Sequence, residues 1–152
     1  MILIDELVRQ GTLTEAEGAE ALSEFRSLPD SDTLIDTIFK KYSVSEDALL
    51  KARSTIFGIP IKKLDTKTIS QDTLRYIEED SAIHYKFIPI IVQDNILEVG
   101  MVDPEFLGAK DALQFISSKI GLPYKVFLIS HSDFEAAIQT YKGITGEVDK
   151  AL

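Results

Sequence analysis

Phe87-Ile88-Pro89-Ile90-Ile91-Val92-Gln93-Asp94-Asn95-Ile96-Leu97-Glu98-Val99-Gly100-Met101-Val102 is the most β-prone stretch of the chain, two β-branched runs joined at the polar Gln93-Asp94-Asn95 centre. Branched side chains suit a pleated, half-buried surface, so the stretch reads as a β-hairpin. Asp103-Pro104 closes it, because Asp caps a helix and Pro is tolerated at the first helical position. Strand is therefore expected to pass directly into a helix from Pro104, with Phe106, Leu107, Leu113, Ile116 and Ile120 as its apolar stripe and Gly121-Leu122-Pro123 as its end.

Working upstream, Ile2, Leu3, Leu7 and Val8 keep helical spacing and Gly11 ends that helix. Thr12-Leu13-Thr14-Glu15 has the S/T-x-x-E form of a capping box, and Ala19, Leu22 and Phe25 continue one face toward the break at Pro29-Asp30-Ser31-Asp32. The pattern then returns at an offset of 31 residues: Leu34-Ile35-Asp36 echoes Leu3-Ile4-Asp5, Ile38 echoes Leu7, Tyr42 stands where Gly11 stood, and Ser45-Glu46 repeats Thr14-Glu15. Each copy is a helical hairpin with a single apolar face, so the two are expected to pack on each other. Ser43-Val44-Ser45-Glu46 reads as the second capping box, and Leu49, Leu50, Ala52 and Ile56 line a fourth helix that stops at Gly58.

Between this lobe and the hairpin, Ile61-Lys62-Lys63-Leu64 is a short extended piece. Ser70 caps a helix whose core face is Leu74 and Ile77, continued by Ala82-Ile83 toward Tyr85. Downstream, Tyr124 to Ile129 is a strand, and Ser132-Asp133-Phe134-Glu135 opens a last helix running through Ile138 to Tyr141. From Gly143 the periodicity fades and the tail reads as a linker. The fold class is α+β: a helical repeat lobe over residues 1–58, a β-α-β-β-α-β-α lobe over 59–142 with helices on a small mixed sheet, and a linker tail over 143–152.

With 45% hydrophobic residues in 152 the chain can bury a core, so disorder is not the default. Lys and Arg number 16 against 25 Asp and Glu, and a net charge of −9 would repel a phosphate backbone. Lys62-Lys63 with Lys67 reads as a solvated strand edge, so nucleic acid is not an expected partner. The absence of cysteine removes disulfides, thiolate metal sites and cysteine nucleophiles. Asp5 and Glu6 stand where a signal peptide is basic and then apolar, and no apolar run approaches the ~20 residues of a membrane span. The chain reads as soluble and cytoplasmic.

No catalytic constellation emerges. None of the eight glycines sits in a Gly-Lys-Ser/Thr phosphate loop. His84 and His131 have no companion at metal-ligand spacing. Ser130-His131-Ser132-Asp133 has a complete account as a strand end and helix cap, and Glu78-Glu79-Asp80 diverges on a solvated helix end instead of converging oxygens on a cation. The residues support no enzyme, no cofactor and no metal; they support a two-lobe binding or docking module.

The chain resembles the N-terminal domain of the type II secretion and type IV pilus assembly ATPases, MshEN-like, some of which bind cyclic di-GMP. The second lobe carries the resemblance through Ala82, Tyr85, Phe87, Pro89-Ile90, Val102-Asp103-Pro104, Asp111-Ala112-Leu113, Gly121-Leu122-Pro123, Ile138 and Tyr141. In the first lobe it rests on Leu7, Gly11, Thr14-Glu15, Leu22, Leu34, Ser45-Glu46, Leu49 and Gly58-Ile59-Pro60. Cyclic di-GMP binders of the family have an Arg-Leu-Gly opening and a later Gln in each helical repeat. Here Ile2, Ile4 and Phe25 occupy the Arg, Gly and Gln positions of the first copy, and Thr33, Ile35 and Ile56 those of the second, with Tyr42 replacing the inner glycine. Apolar residues supply neither charge-assisted bonds nor close backbone approach, so cyclic di-GMP binding is not expected.

What the resemblance implies is a non-catalytic domain: the Walker motifs and tetracysteine zinc site of the full ATPases are absent from this chain, which is expected to be either a fragment, its tail a linker toward the ATPase domains, or a free-standing homologue. It would recruit the motor to an inner-membrane platform or cytoplasmic adaptor by protein contact, peripheral to the membrane and not inserted in it. The alternative it implies is a second-messenger sensor with a diverged ligand motif. Ile2, Leu3, Leu7 and Phe25 are the expected partner surface.

Overall fold

The computed structural model describes residues 2–26, 40–65 and 69–151, without the side chains of Ile2, Phe25 and 142–151. The chain divides into two compact units, Met1–Gly58 and Ile59–Leu152.

In the first unit, α1 (Ile2–Arg9) and α2 (Glu15–Phe25) form the first helical hairpin, and α3 (Glu46–Phe57) is the last helix of the second copy. The expected helix around Leu34, Ile35 and Ile38 lies outside the described residues; only 40–42 are described, and they are helical. Ile4, Leu7, Leu13, Val44, Leu49 and Ala52 form one buried cluster, so the equivalent Leu13 and Val44 enter the same core.

Burial of that pair explains where the helices begin. Two overlapping S/T-x-x-E frames are available, and because Leu13 must reach inward from extended backbone the helix starts after it. Thr14, not Thr12, is the cap: its Oγ1 accepts the Glu17 N–H at 3.1 Å and Glu17 Oε1 accepts the Thr14 N–H at 2.9 Å. Ser45, not Ser43, caps α3 by accepting the Ala48 N–H at 3.1 Å, and with Ala48 at the third position the reciprocal bond of a full box is lost.

In the second unit, the hairpin is present as β1 (Phe87–Gln93) and β2 (Ile96–Met101), turned by Asp94 (φ 53°) and Asn95 (φ 63°). Both central residues are left-handed, the geometry whose twist matches the flanking strands, and Asp and Asn tolerate it best after Gly. β3 (Tyr124–Leu128) joins β2 in parallel, giving a mixed sheet of order β1-β2-β3. The extended piece at Ile61 is reduced to a single parallel bridge with Leu128.

The register places Phe87 opposite Met101 and Val99 opposite Val126, so these share one face. Leu74, Ile77, Leu113, Phe134, Ile138 and Tyr141 from the helices join them in one core. Gly100 lies opposite Ile88, and a Cβ there would meet Ile129 Cγ2 at 2.8 Å and Ile90 Cδ1 at 3.3 Å; the missing side chain is the space those isoleucines fill.

The single helix expected from Ser70 is two, α4 (Gln71–Leu74) and α5 (Glu79–Tyr85), separated where Glu78 is extended. Ser70 does cap the first, accepting the Thr73 N–H at 3.1 Å. The break is stabilised from outside, since the buried Tyr141 hydroxyl lies 2.8 Å from the Ile77 carbonyl and 3.2 Å from that of Leu74.

The helix expected from Pro104 begins later, as α6 (Ala109–Ile120). Asp103 caps only a local turn, its Oδ1 accepting the Glu105 N–H at 2.9 Å, and Gly108 at φ +84° interrupts continuity before Ala109. The last helix, α7 (His131–Ala151), is capped two residues earlier than the expected Ser132, because Ser130 Oγ accepts the Asp133 N–H at 3.1 Å. It also carries through 143–151, where the sequence reads as a linker. Gly143 and Gly146 each cost about 1 kcal/mol of helix propensity, but no proline removes a bond and propagation from an established helix adds one bond per residue.

Candidate functional site

The resemblance directs attention to the helical repeat. α1 ends in a four-residue turn before Thr14, with Gly11 at φ +86°. In the second copy Tyr42 cannot take that conformation cheaply, so the helix continues over it and the left-handed residue becomes Ser43 at φ 53°. Gln10 ties the copies together: its Nε2 donates to Thr12 Oγ1 and to the Ala48 carbonyl at the start of α3, each at 2.9 Å.

Charges at these turns are paired. Arg9 donates to Glu6 at 2.8 Å, which lowers the Glu6 pKa and raises that of Arg9. Lys41 donates to Glu20 at 2.6 Å and also to Glu24, across from the second copy onto α2. Those hydrogen bonds raise the Lys41 pKa, while Lys41 lowers that of Glu20; burial is the main cause of the upward shift at the neighbouring Tyr42. The groups are largely solvent-screened, so this network orients α2 more than it stabilises it.

Ile4, at the glycine position of the family's ligand pattern, is fully buried, and Ile56 packs against the same core from α3. Leu3 and Leu7 of the expected partner surface are also buried, Leu7 fully, so these two are part of the core. The side chains of Ile2 and Phe25, and residues Thr33 and Ile35 altogether, lie outside the described residues.

Elsewhere, His131 pairs with Glu135 at 3.4 Å on the surface of α7, and Asp133 Oδ2 accepts the Leu64 N–H at 3.0 Å, so neither stands as part of a triad. Among the described residues no group of three His, Cys, Asp or Glu could hold a metal ion. On the sheet face opposite the core, Lys62 pairs with Glu98, and Lys62 Nζ and Lys125 Nζ lie 4.9 and 5.2 Å from the Phe127 ring. The isolated bridge at Ile61 brings that ladder together, a long-range pairing no local pattern announces.

A family model described as the MshEN domain matches residues 57–148, more than half of the chain. The solved structure of MshE with cdg superposes with a TM-score of 0.72 at 23% identity, covering 91% of this chain and 97% of that one. The N-terminal domain of XpsE gives a TM-score of 0.61 at 15% identity in one crystal form, covering 91% and 92%. A second crystal form gives 0.50 at 19%, covering 84% and 95%. At these identities the structural likeness establishes the fold. No curated protein matches the sequence. With the α+β architecture and the family model in agreement, the chain belongs to the MshEN domain family, the one its residues resemble.

Proposed function

We propose that this chain is a non-catalytic N-terminal docking domain of a type II secretion or type IV pilus assembly ATPase, recruiting the motor to its inner-membrane platform or cytoplasmic adaptor by protein contact. The observation that carries this reading is Ile4: fully buried where a ligand-binding repeat needs glycine, it closes the backbone approach and turns the repeat from a ligand cradle into packed core. Such a domain would act in the cytoplasm and reach the membrane through partners. No helix among the described residues is long and apolar enough to cross a membrane. Affinity capture with the cytoplasmic parts of the platform and of the adaptor tests it; failure with both would refute the docking role.

A second reading, a second-messenger sensor, is favoured by one observation, that MshE was solved with cdg. Calorimetric titration separates the two. The docking reading expects no cyclic di-GMP binding, and micromolar or tighter binding would overturn it. A thermal-shift screen extends the test to other nucleotides, since a ligand at 100 times its Kd adds about 2.7 kcal/mol of stability.

A further inference from the structure

An unassigned aromatic and aliphatic patch stands at the end of α5 and on the turn before α6. His84 meets Tyr85 edge-on at 4.6 Å and Phe106 edge-on at 5.7 Å, and Tyr85 meets Phe106 at 6.1 Å. His84 is exposed, and Tyr85 and Phe106 are only half-buried. Ile83, beside His84, is 45% exposed, and Leu107, beside Phe106, is 93% exposed. A lone exposed leucine is ordinary; one next in sequence to a cluster of three contacting rings, with an exposed isoleucine next to that cluster's histidine, marks a patch.

The turn that carries Leu107 is braced. The Asp103 carbonyl accepts the Phe106 N–H at 3.2 Å and the Phe106 carbonyl accepts the Ala109 N–H at 3.2 Å. Gly108 sits against Tyr85, where an added Cβ would be 3.6 Å from the ring. Leu107 is therefore held out by a fixed backbone, which lowers the entropy cost of using it in a contact.

The rim selects the occupant. Glu79 and Asp80 lie one turn before Ile83 and His84 on α5, and Asp103 and Glu105 lie beside Phe106; with Lys86 and Lys110 on the same two segments the rim holds four carboxylates against two ammonium groups and is net acidic. A second copy would bring acidic rim against acidic rim on a chain of net charge −9, and an anionic lipid surface would be repelled in the same way. We propose that this patch docks a cationic amphipathic segment of a partner protein, with Leu107, Phe106 and His84 against its apolar face and Asp80 and Glu105 facing its Lys or Arg residues. The proposal rests on the docking reading above and names the chemistry of the partner.

The test uses the full chain and a fluorescein-labelled model helix of Leu and Lys at amphipathic spacing, read by anisotropy. Leu107→Ser is expected to weaken binding about tenfold, because a central apolar anchor carries a large share of an interface. Glu105→Lys is expected to weaken it also. Phe115→Ser, at an exposed ring elsewhere on α6, and Glu15→Lys on α2 are expected to leave it unchanged. Equal losses from Glu15→Lys and Glu105→Lys would reduce the binding to bulk charge and overturn the proposal. No effect of Leu107→Ser would also overturn it. So would dimerisation, or binding to phosphatidylglycerol vesicles, that Leu107→Ser abolishes. Capture by platform or adaptor that survives Leu107→Ser would overturn this surface and leave docking standing. Failed capture with a Leu107-dependent peptide interaction would keep the surface and remove the secretion assignment.

Discussion

Replacing Tyr141 by Phe tests the central packing argument of the second unit. The hydroxyl is buried against the carbonyls of Ile77 at 2.8 Å and Leu74 at 3.2 Å, at the break between α4 and α5. Phe keeps the ring, so no cavity forms; what is lost is the hydrogen bond, at roughly 0.5–1.5 kcal/mol, plus part of the cost of a stranded buried acceptor, roughly 1–3 kcal/mol. A net loss of about 1–2 kcal/mol corresponds to about 5–15 °C in Tm for a unit of this size. Burial, and secondarily the charge of Glu79, raises the Tyr141 pKa well above its ordinary 10.0. The folded chain therefore keeps a proton that the unfolded chain releases from about pH 10. Folded protein binds more protons, so this contribution to stability is complete below pH 10 and is lost above it, by about 1.4 kcal/mol per pH unit. Urea unfolding of both proteins from pH 7 to 11 measures both effects. The variant should be weaker at pH 7, and its deficit should shrink above pH 10. Stability within about 0.3 kcal/mol of the parent at pH 7, or parallel alkaline curves, would refute the reasoning.

Other substitutions probe separate joints of the fold. Gly100→Ala drives a methyl to 2.8 Å from Cγ2 and 3.0 Å from Cδ1 of Ile129 and should cost about 1–3 kcal/mol, with Ile129→Val, which removes Cδ1, recovering part of it; both are read by thermal unfolding. Ser43→Gly relieves a left-handed serine and should stabilise the first unit by about 0.5–1 kcal/mol in chemical denaturation, whereas Ser43→Val should destabilise it.

Local chemistry was the legible part of this chain. The hairpin was readable because Asp94 and Asn95 supply its turn, and the ends of α1, α3 and α6 because Gly11, Gly58 and Gly121 adopt positive φ. Capping frames were less so: Thr12 and Thr14 offer overlapping boxes, and only the burial of Leu13 selects between them. The split between α4 and α5 depends on Tyr141, more than sixty residues away, and the bridge of Ile61 to Leu128 is equally remote. At the candidate site, apolar character at Leu3 and Leu7 was plain, but which way it pointed depended on the partner helices. The cluster of His84 and Phe106 joins two segments separated by the whole hairpin, so no window of sequence contains it.

The shift of the left-handed residue from Gly11 to Ser43 bears on how freely the two repeats can be exchanged. A gene duplication leaves halves that are interchangeable at first, and transplanting one turn into the other tests whether they still are. Grafting residues 9–14 over 40–45 would put glycine in place of Tyr42 and threonine in place of Ser43, ending the helix early and asking a β-branched residue to carry the remaining turn. It would also remove the lysine at 41 that holds Glu20. The halves have become specialised modules, and recombination between them would yield a chain with two first repeats and no second.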